Sequence, residues 1–210
     1  MTAKNEYSPE RMADREAIRD VMYRYCRGAD RYDIDLFRSC YHPDATDQHG
    51  FFTGPAHDFA THAFKQLERC IFTMHRLHNI LIEFDGDRAF TESQVVVIHR
   101  VEAATGLVDF DNFGRYCDIF EKRNGEWKIF HRLHLPDGDR IVEVNELAGR
   151  RRDLPPGGRF YEPGRHGPDD ASYLKFDLKK VMKSVPPIDN LWDSHLTMWN
   201  ERAKQRAQQK

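Results

Sequence analysis

Apolar residues recur at three- and four-residue steps through residues 14–29, at Ile18, Val21, Met22, Tyr25, Cys26 and Ala29. That spacing predicts an amphipathic helix. Asp14 is a candidate N-cap, and Gly28 marks the place where the helix should loosen or end. A shorter helix is expected over Asp33–Cys40, with Ile34, Phe37 and Cys40 on one side and His42-Pro43-Asp44 as its stop. A polar strand or loop follows through Asp47 and His49. Gly54-Pro55 then opens a third helix that carries Phe59, Ala63 and Leu67 on one stripe.

The period changes after Arg69. Residues 73–84 and 88–101 alternate apolar with polar positions, and Asp85-Gly86-Asp87 between them is a tight-turn signal. A third strand is predicted over 108–122. A fourth, over 126–135, is joined to it by Asn124-Gly125, the strongest short hairpin signal in the chain. Helices first and four long antiparallel strands afterwards make an α+β layout, with the helices gathered on one face of a sheet. Strict alternation places His75, Leu77, Asn79 and Leu81 on one face of the first strand, opposite Arg76, His78, Ile80 and Ile82. It likewise places Trp127, Ile129, His131 and Leu133 together in the last strand, opposite Phe130 and Arg132. Both faces are largely apolar, so a sheet covered on both sides is expected, by helices on one and by other subunits on the other.

Residues 149–170 are dense in Gly, Pro and Arg and read as an extended arm. Short helices are expected within 173–203, where Leu191, Trp192, Leu196 and Trp199 call for packing on the domain or on a neighbouring subunit. The organisation expected is therefore a domain over residues 1–148 and an extension over 149–210.

Charge and composition narrow the class. With 32 Lys+Arg against 34 Asp+Glu there is no basic excess to suggest nucleic acid. No apolar run approaches the roughly 20 residues needed to span a bilayer, and the opening MTAKNEYSPERMADRE has no apolar signal core. A cytoplasmic protein without membrane or nucleic-acid partners is expected. The four cysteines form no CxxC pair and read as free core thiols.

The eleven histidines point to polar chemistry. A metal site is the obvious rival use for them, but a strand sends His75 and His78 to opposite faces, and no HExxH occurs. There is no GxSxG, GxGxxG or GxxxxGK[ST] either. Neither metal nor cofactor is expected. Asp30 follows the apolar stripe of the first helix. Its plain reading is a helix-end carboxylate bonded to a backbone N–H or paired with Arg27 or Arg31. The plain reading of His75 is a satisfied core histidine. Together they read differently, because a carboxylate behind an imidazole fixes its tautomer and raises the basicity of the other nitrogen. A base of that kind suits β-elimination or isomerisation near pH 7.

The stretch REAIRDVMYRYCRGADRYDIDLFRSCYHPDATDQHGFFTG resembles the opening of SnoaL-like proteins, members of the nuclear-transport-factor-like superfamily. TMHRLHNILIEFDGDRA and GRYCDIFEKRNGEWKIFHR resemble their strands, and the likeness covers about residues 10–148. It implies a cone-shaped α+β fold, with N-terminal helices packed in a strongly curved antiparallel sheet. The groups it resembles most are scytalone dehydratases, hexachlorocyclohexane dehydrochlorinases and bile-acid dehydratases. The resemblance puts the family's catalytic Asp on Asp30, in GADRYD, and its catalytic His on His75, in TMHRLHN. The HRLH doublet leaves a choice between His75 and His78 that the T-x-H pattern settles for His75.

Tyr25 falls on an ordering Tyr of the bile-acid enzymes. His49 stands near a pocket Tyr of the scytalone enzymes, a departure that weighs against a scytalone-type hydration mechanism. Strand parity adds His131 and Trp127 as pocket-facing candidates. The expected activity is that of a cofactor-independent lyase on a small hydrophobic, aromatic or polycyclic molecule. It would lose water, halide or, as in lyases of lignin-derived diaryl compounds, formaldehyde. An isomerase or cyclase, or a non-catalytic binding protein, is the alternative on the same scaffold. The relatives imply a homotrimer, with a homodimer as the other possibility.

Overall fold

The computed structural model describes residues 7–104, 106–144 and 166–177, with residues 180, 200 and 204. They divide into two units. One comprises residues 1–144 and 165–168, and the other comprises 145–164 and 169–210. In the second unit the described residues form a single 3₁₀ turn, Ala171–Leu174, capped by the Asp170 carboxylate, which accepts from the Ser172 N–H at 2.9 Å. Residues 149–165 of the expected arm over 149–170, and the apolar positions Leu191, Trp192, Leu196 and Trp199, lie outside the described residues.

Helix α1 runs Pro9–Arg31, and its buried stripe is the predicted one: Ile18, Val21, Met22, Tyr25, Cys26 and Ala29. Removing each large apolar side chain of this stripe from water contributes roughly 1.5–3 kcal/mol. Two expectations about its ends fail. Ser8, not Asp14, is the N-cap; its hydroxyl accepts from the Arg11 N–H, and Pro9 follows at the first helical position. Gly28 does not end the helix, which continues to Arg31 and closes with Tyr32 in the left-handed conformation. Gly28 is instead a contact point: a Cβ there would lie 2.8 Å from the Phe37 backbone nitrogen. Its missing side chain lets α2, Ile34–Ser39, lie against α1.

Strands β1, Tyr41–Gln48, and β2, Thr53–Pro55, precede α3, Ala56–Leu67. The long strands are β3, Phe72–Asp85; β4, Arg88–Ala103; β5, Gly106–Arg123; and β6, Glu126–Val144. Together they make one six-stranded curved sheet in the order β2-β1-β6-β5-β4-β3. The meander β3–β6 is antiparallel as predicted, and its Asn124-Gly125 turn has both φ positive, at 53° and 83°. The stretch through Asp47, open to a strand or a loop from its sequence, forms the strand β1 and joins the sheet. It pairs parallel with β6, so the sheet is mixed. Two polar residues of β1, His42 and Asp47, are buried, Asp47 fully so, while Asp44, Thr46 and Gln48 face outward. Among the described residues no helix is long and apolar enough to cross a membrane.

Strict alternation fails at several bulges, and two of them decide which residues face the site. In β3, Leu77 pairs with Val95 and Ile80 with Ser93, so His78 and Asn79 together oppose one residue. The inward set is therefore Thr73, His75 and Leu77, then Ile80, Ile82 and Phe84, and the expected inward residues Asn79 and Leu81 are exposed. In β6, Phe120 pairs with Ile129 and Ile119 with His131, which leaves Phe130 as the extra residue. Trp127 and Ile129 point inward before that bulge. Beyond it Arg132 and His134 point inward, where strict alternation predicted His131 and Leu133.

Candidate active site

The space between the helices and the curved sheet is a cavity of about 720 Å³, within the range of ordinary small-molecule sites. Its apolar wall includes Phe37, Phe51, Phe59, Leu67 and Val97. Its polar groups come from across the sheet: His49 after β1, His75 on β3, His99 on β4, Asn112 and Tyr116 on β5, and His134 on β6.

Asp30 and His75 meet as the sequence suggests. Asp30, in the last turn of α1, accepts the His75 backbone N–H through both carboxylate oxygens at 3.0 Å, and it takes the ring Nδ1 at 2.7 Å. A carboxylate acceptor places the neutral ring's proton on Nδ1 and leaves Nε2 as the basic nitrogen for the cavity. The double hold on backbone and ring also fixes the imidazole's direction, so little reorientation is needed when it acts.

Tyr25 stands edge-on to His75, with ring centroids 6.3 Å apart, and packs against Tyr116 at 5.7 Å. Beneath these two rings lies the fully buried Arg132, its guanidinium carbon 4.0 Å from each ring centroid. Arg132 is held in a two-pronged pair with buried Asp118 at 2.7 and 2.6 Å. Burial works against the charge on Arg132, and the facing carboxylate outweighs it. Burial pushes the Tyr25 and Tyr116 hydroxyls up, which keeps both protonated at neutral pH.

His49 belongs to a second carboxylate-imidazole pair. Its Nδ1 lies 2.5 Å from Asp47, whose other oxygen accepts the Tyr41 hydroxyl at 2.6 Å. The His49 ring is stacked between Phe59, at 4.3 Å, and His134, at 4.8 Å. His134 has space because position 114 is glycine; a Cβ there would sit 2.9 Å from its Nε2 and 2.6 Å from the Leu135 carbonyl.

Burial, with the neighbouring His75 imidazole adding to it, pulls the His99 imidazole down to about 4. Burial, then His49 and Arg132, pulls His134 down to about 4 as well. Both rings are therefore uncharged at neutral pH. The buried Asn112 Oδ1 has no partner among the described residues. It offers an acceptor to whatever occupies the cavity.

Two expected residues are elsewhere. His131 lies on the other face, where its Nδ1 bonds Thr46 Oγ1 at 2.7 Å, because the bulge at Phe130 reverses the alternation. Trp127 does point inward, but parity gives a face and not a height. Trp127 lies roughly 20 Å down the strand from His134, where its Nε1 donates to Asp14 at 2.8 Å and its ring packs on Phe84. The residues missed are Asp47, His99, Asn112, Tyr116 and His134. A signal for one existed, since Asp47 and His49 are two apart and so share a strand face.

A model of the SnoaL-like domain matches residues 10–133, more than half of the chain. No curated protein matches it. Among solved structures, a putative scytalone dehydratase from Novosphingobium aromaticivorans superposes with a TM-score of 0.57 at 22% identity, over 64% of this chain and 91% of that one. A hexachlorocyclohexane dehydrochlorinase from Novosphingobium barchaimii gives 0.58 at 20% identity, over 73% and 98%. A protein from Kribbella flavida gives 0.58 at 19%, over 61% and 94%. At these identities the superpositions speak for the fold. With the family match over residues 10–133, they place this chain in the SnoaL-like family.

Proposed function

We propose that the protein is a cofactor-independent lyase in which His75 is the general base and Asp30 its positioning partner. The observation that carries this reading is the Asp30 carboxylate gripping both the backbone and Nδ1 of His75, which commits Nε2 to the cavity. The substrate is a small hydrophobic molecule with an aromatic or polycyclic body, suited to the wall of Phe37, Phe51, Phe59 and Val97. His75 takes a proton from carbon, the C–H electron pair becomes the new double bond, and the leaving group departs with its own pair. If His75 instead takes the proton of a β-hydroxyl, the O–H pair becomes the C=O of formaldehyde and the C–C pair passes to the substrate's adjacent carbonyl as an enolate. His75 then returns the proton to the enolate carbon. Tyr25, buried and protonated, stands beside the His75 ring.

A cavity of this size, in place of a cone filled by side chains, supports catalysis over mere scaffolding. The test is a mass-spectrometric screen of aromatic, steroid-like and lignin-derived alcohols and halides. The expected result is a product lighter by water, hydrogen halide or formaldehyde, whereas an unchanged mass would mean isomerisation. On the substrate found, His75→Ala should cost about 10²–10⁴-fold in kcat, and Asp30→Asn about 10²-fold through loss of the tautomer lock. Retention of most activity by both variants would reject the pair. The expected assembly is a homotrimer, which light scattering on the purified protein decides.

A further inference from the structure

The cavity holds a second acid-base pair that the His75 chemistry does not use. His49 and His75 approach it from opposite ends of the sheet: β1 and β3 are separated by β6, β5 and β4, and the curvature brings both rings to one void. A continuous run of rings joins them, from His49 to Tyr116 at 5.9 Å, Tyr116 to Tyr25 at 5.7 Å and Tyr25 to His75 at 6.3 Å. Each histidine has Nδ1 on a carboxylate, which leaves Nε2 for the cavity.

The two pairs differ in their electrical surroundings. Asp47, Asp118 and Arg132 are all fully buried. Arg132 is engaged with Asp118 and cancels one negative charge only. Asp47 has Tyr41, a neutral hydroxyl, on one oxygen and His49 on the other. A buried carboxylate without a cation costs several kcal/mol. The partner available to Asp47 is His49. The other groups around His49 supply none. His134, stacked on it, is uncharged, Tyr116 is protonated, and Phe59 is apolar. Asp118 feels the same field: burial raises its carboxyl, Arg132 opposes this, the charge of Asp47 adds to the rise and His49 relieves it.

We propose that His49, held as an imidazolium by Asp47 and Tyr41, is the general acid that delivers a proton to an oxygen leaving group while His75 removes the proton from carbon. The proposal rests on the lyase reading above and narrows its substrate class. The His75 Nε2 gains the carbon-bound proton, the C–H pair forms the double bond, and the C–O pair leaves with oxygen. That oxygen takes the Nε2 proton of His49 and departs as water. The site returns to its starting state when solvent carries a proton from His75 to His49. Chloride needs no proton on leaving, whereas hydroxide needs one. A site with this acid is built for alcohols.

The charge state can be read without any substrate. In protein with ¹⁵N-labelled histidine, ring spectra at pH 7 should show His49 with both nitrogens protonated and His75 with a single proton, on Nδ1. Asp47→Asn should turn His49 neutral. A wild-type His49 with one bare nitrogen at pH 7 would overturn the proposal.

The kinetic arm uses β-hydroxy and β-chloro aryl ketones of one carbon skeleton. His49→Gln should slow loss of water by about 10²-fold and loss of chloride at least about tenfold less than that. Equal losses on both substrates would also overturn the proposal. Failure of the wild type, or indifference to His75→Ala, would count against the lyase reading instead, because the ring spectra report on His49 independently.

Discussion

The two ends of the first unit use similar side chains for opposite purposes. At the closed end, Asp14 accepts from Lys122 Nζ at 2.7 Å and from Trp127 Nε1 at 2.8 Å, and Arg11 covers the Phe84 ring at 4.2 Å. Acid, base and aromatic there satisfy one another. At the cavity end, His49 and His75 each spend one ring nitrogen on a carboxylate, and Asn112 Oδ1 has no described partner. The same strands therefore carry a self-satisfied polar cluster at one end and an underemployed one at the other. Unspent hydrogen-bonding capacity beside an apolar void marks a place for a ligand.

Several substitutions would break or sharpen this contrast. The largest effect should come from the midpoint between the two ends. Arg132→Leu leaves Asp118 buried and alone, and should cost about 3–5 kcal/mol in urea unfolding. A smaller loss is expected from Gly114→Ala, whose Cβ would press on the Leu135 carbonyl and His134. About 1–3 kcal/mol is the usual cost of such overpacking, and ligand binding at the cavity end should suffer with it. Asp14→Asn should cost about 1–2 kcal/mol in the same assay and leave ligand binding untouched, because it acts at the closed end.

Finer still is the order in which the ends weaken on acidification. His99 and His134 sit at about 4, below the ordinary histidine value of 6.5. The unfolded chain thus binds more protons between those values. Their stabilising contribution is complete above about 6.5 and falls away as pH drops towards about 4. For Asp14, burial raises the carboxyl, but the hydrogen bonds of Lys122 and Trp127 and the charges of Lys122 and Arg11 outweigh it, so the net shift is downward. Its contribution is complete above the ordinary carboxylate value of 3.8 and is lost only as pH falls through the lower folded value. Thermal melts should show the double variant His99→Gln/His134→Gln flattening the decline between pH 6.5 and 4. Asp14→Asn should change the profile only below that window. Reversal of the two windows would refute the assignment.

Local pattern carried most of the architecture. The α1 stripe, the opening of α3 and the Asn124-Gly125 hairpin follow from spacing and turn chemistry, which depend on near neighbours. Asp30 and His75 were legible through their motif and meet in space. The rest of the site was not, for reasons of distance and register. Parallel pairing of β1 with β6 joins segments some 85 residues apart, as Thr46 opposite His131 shows, and no local signal announces it. That pairing buries Asp47 and makes His49 a partner of His134. Alternation is a rule about uninterrupted strands, so it points to His131 where the structure has Arg132 and His134, and nothing in the letters around Phe130 announces the extra residue. Trp127 has the expected face but lies at the other height, beside Asp14 and Phe84.

The bulge at Phe130 means that one added residue, as much as residue identity, decides what the cavity contains. In unbroken alternation Ile129 would be followed inward by His131 and Leu133; the extra residue gives those places to Arg132 and His134. Deleting Phe130 would straighten the strand and leave Arg132 and His134 facing inward, because the ladder from Ile119 opposite His131 onward is unchanged. This corner of the enclosure thus tolerates a one-residue loss that elsewhere in the strand would turn its walls inside out.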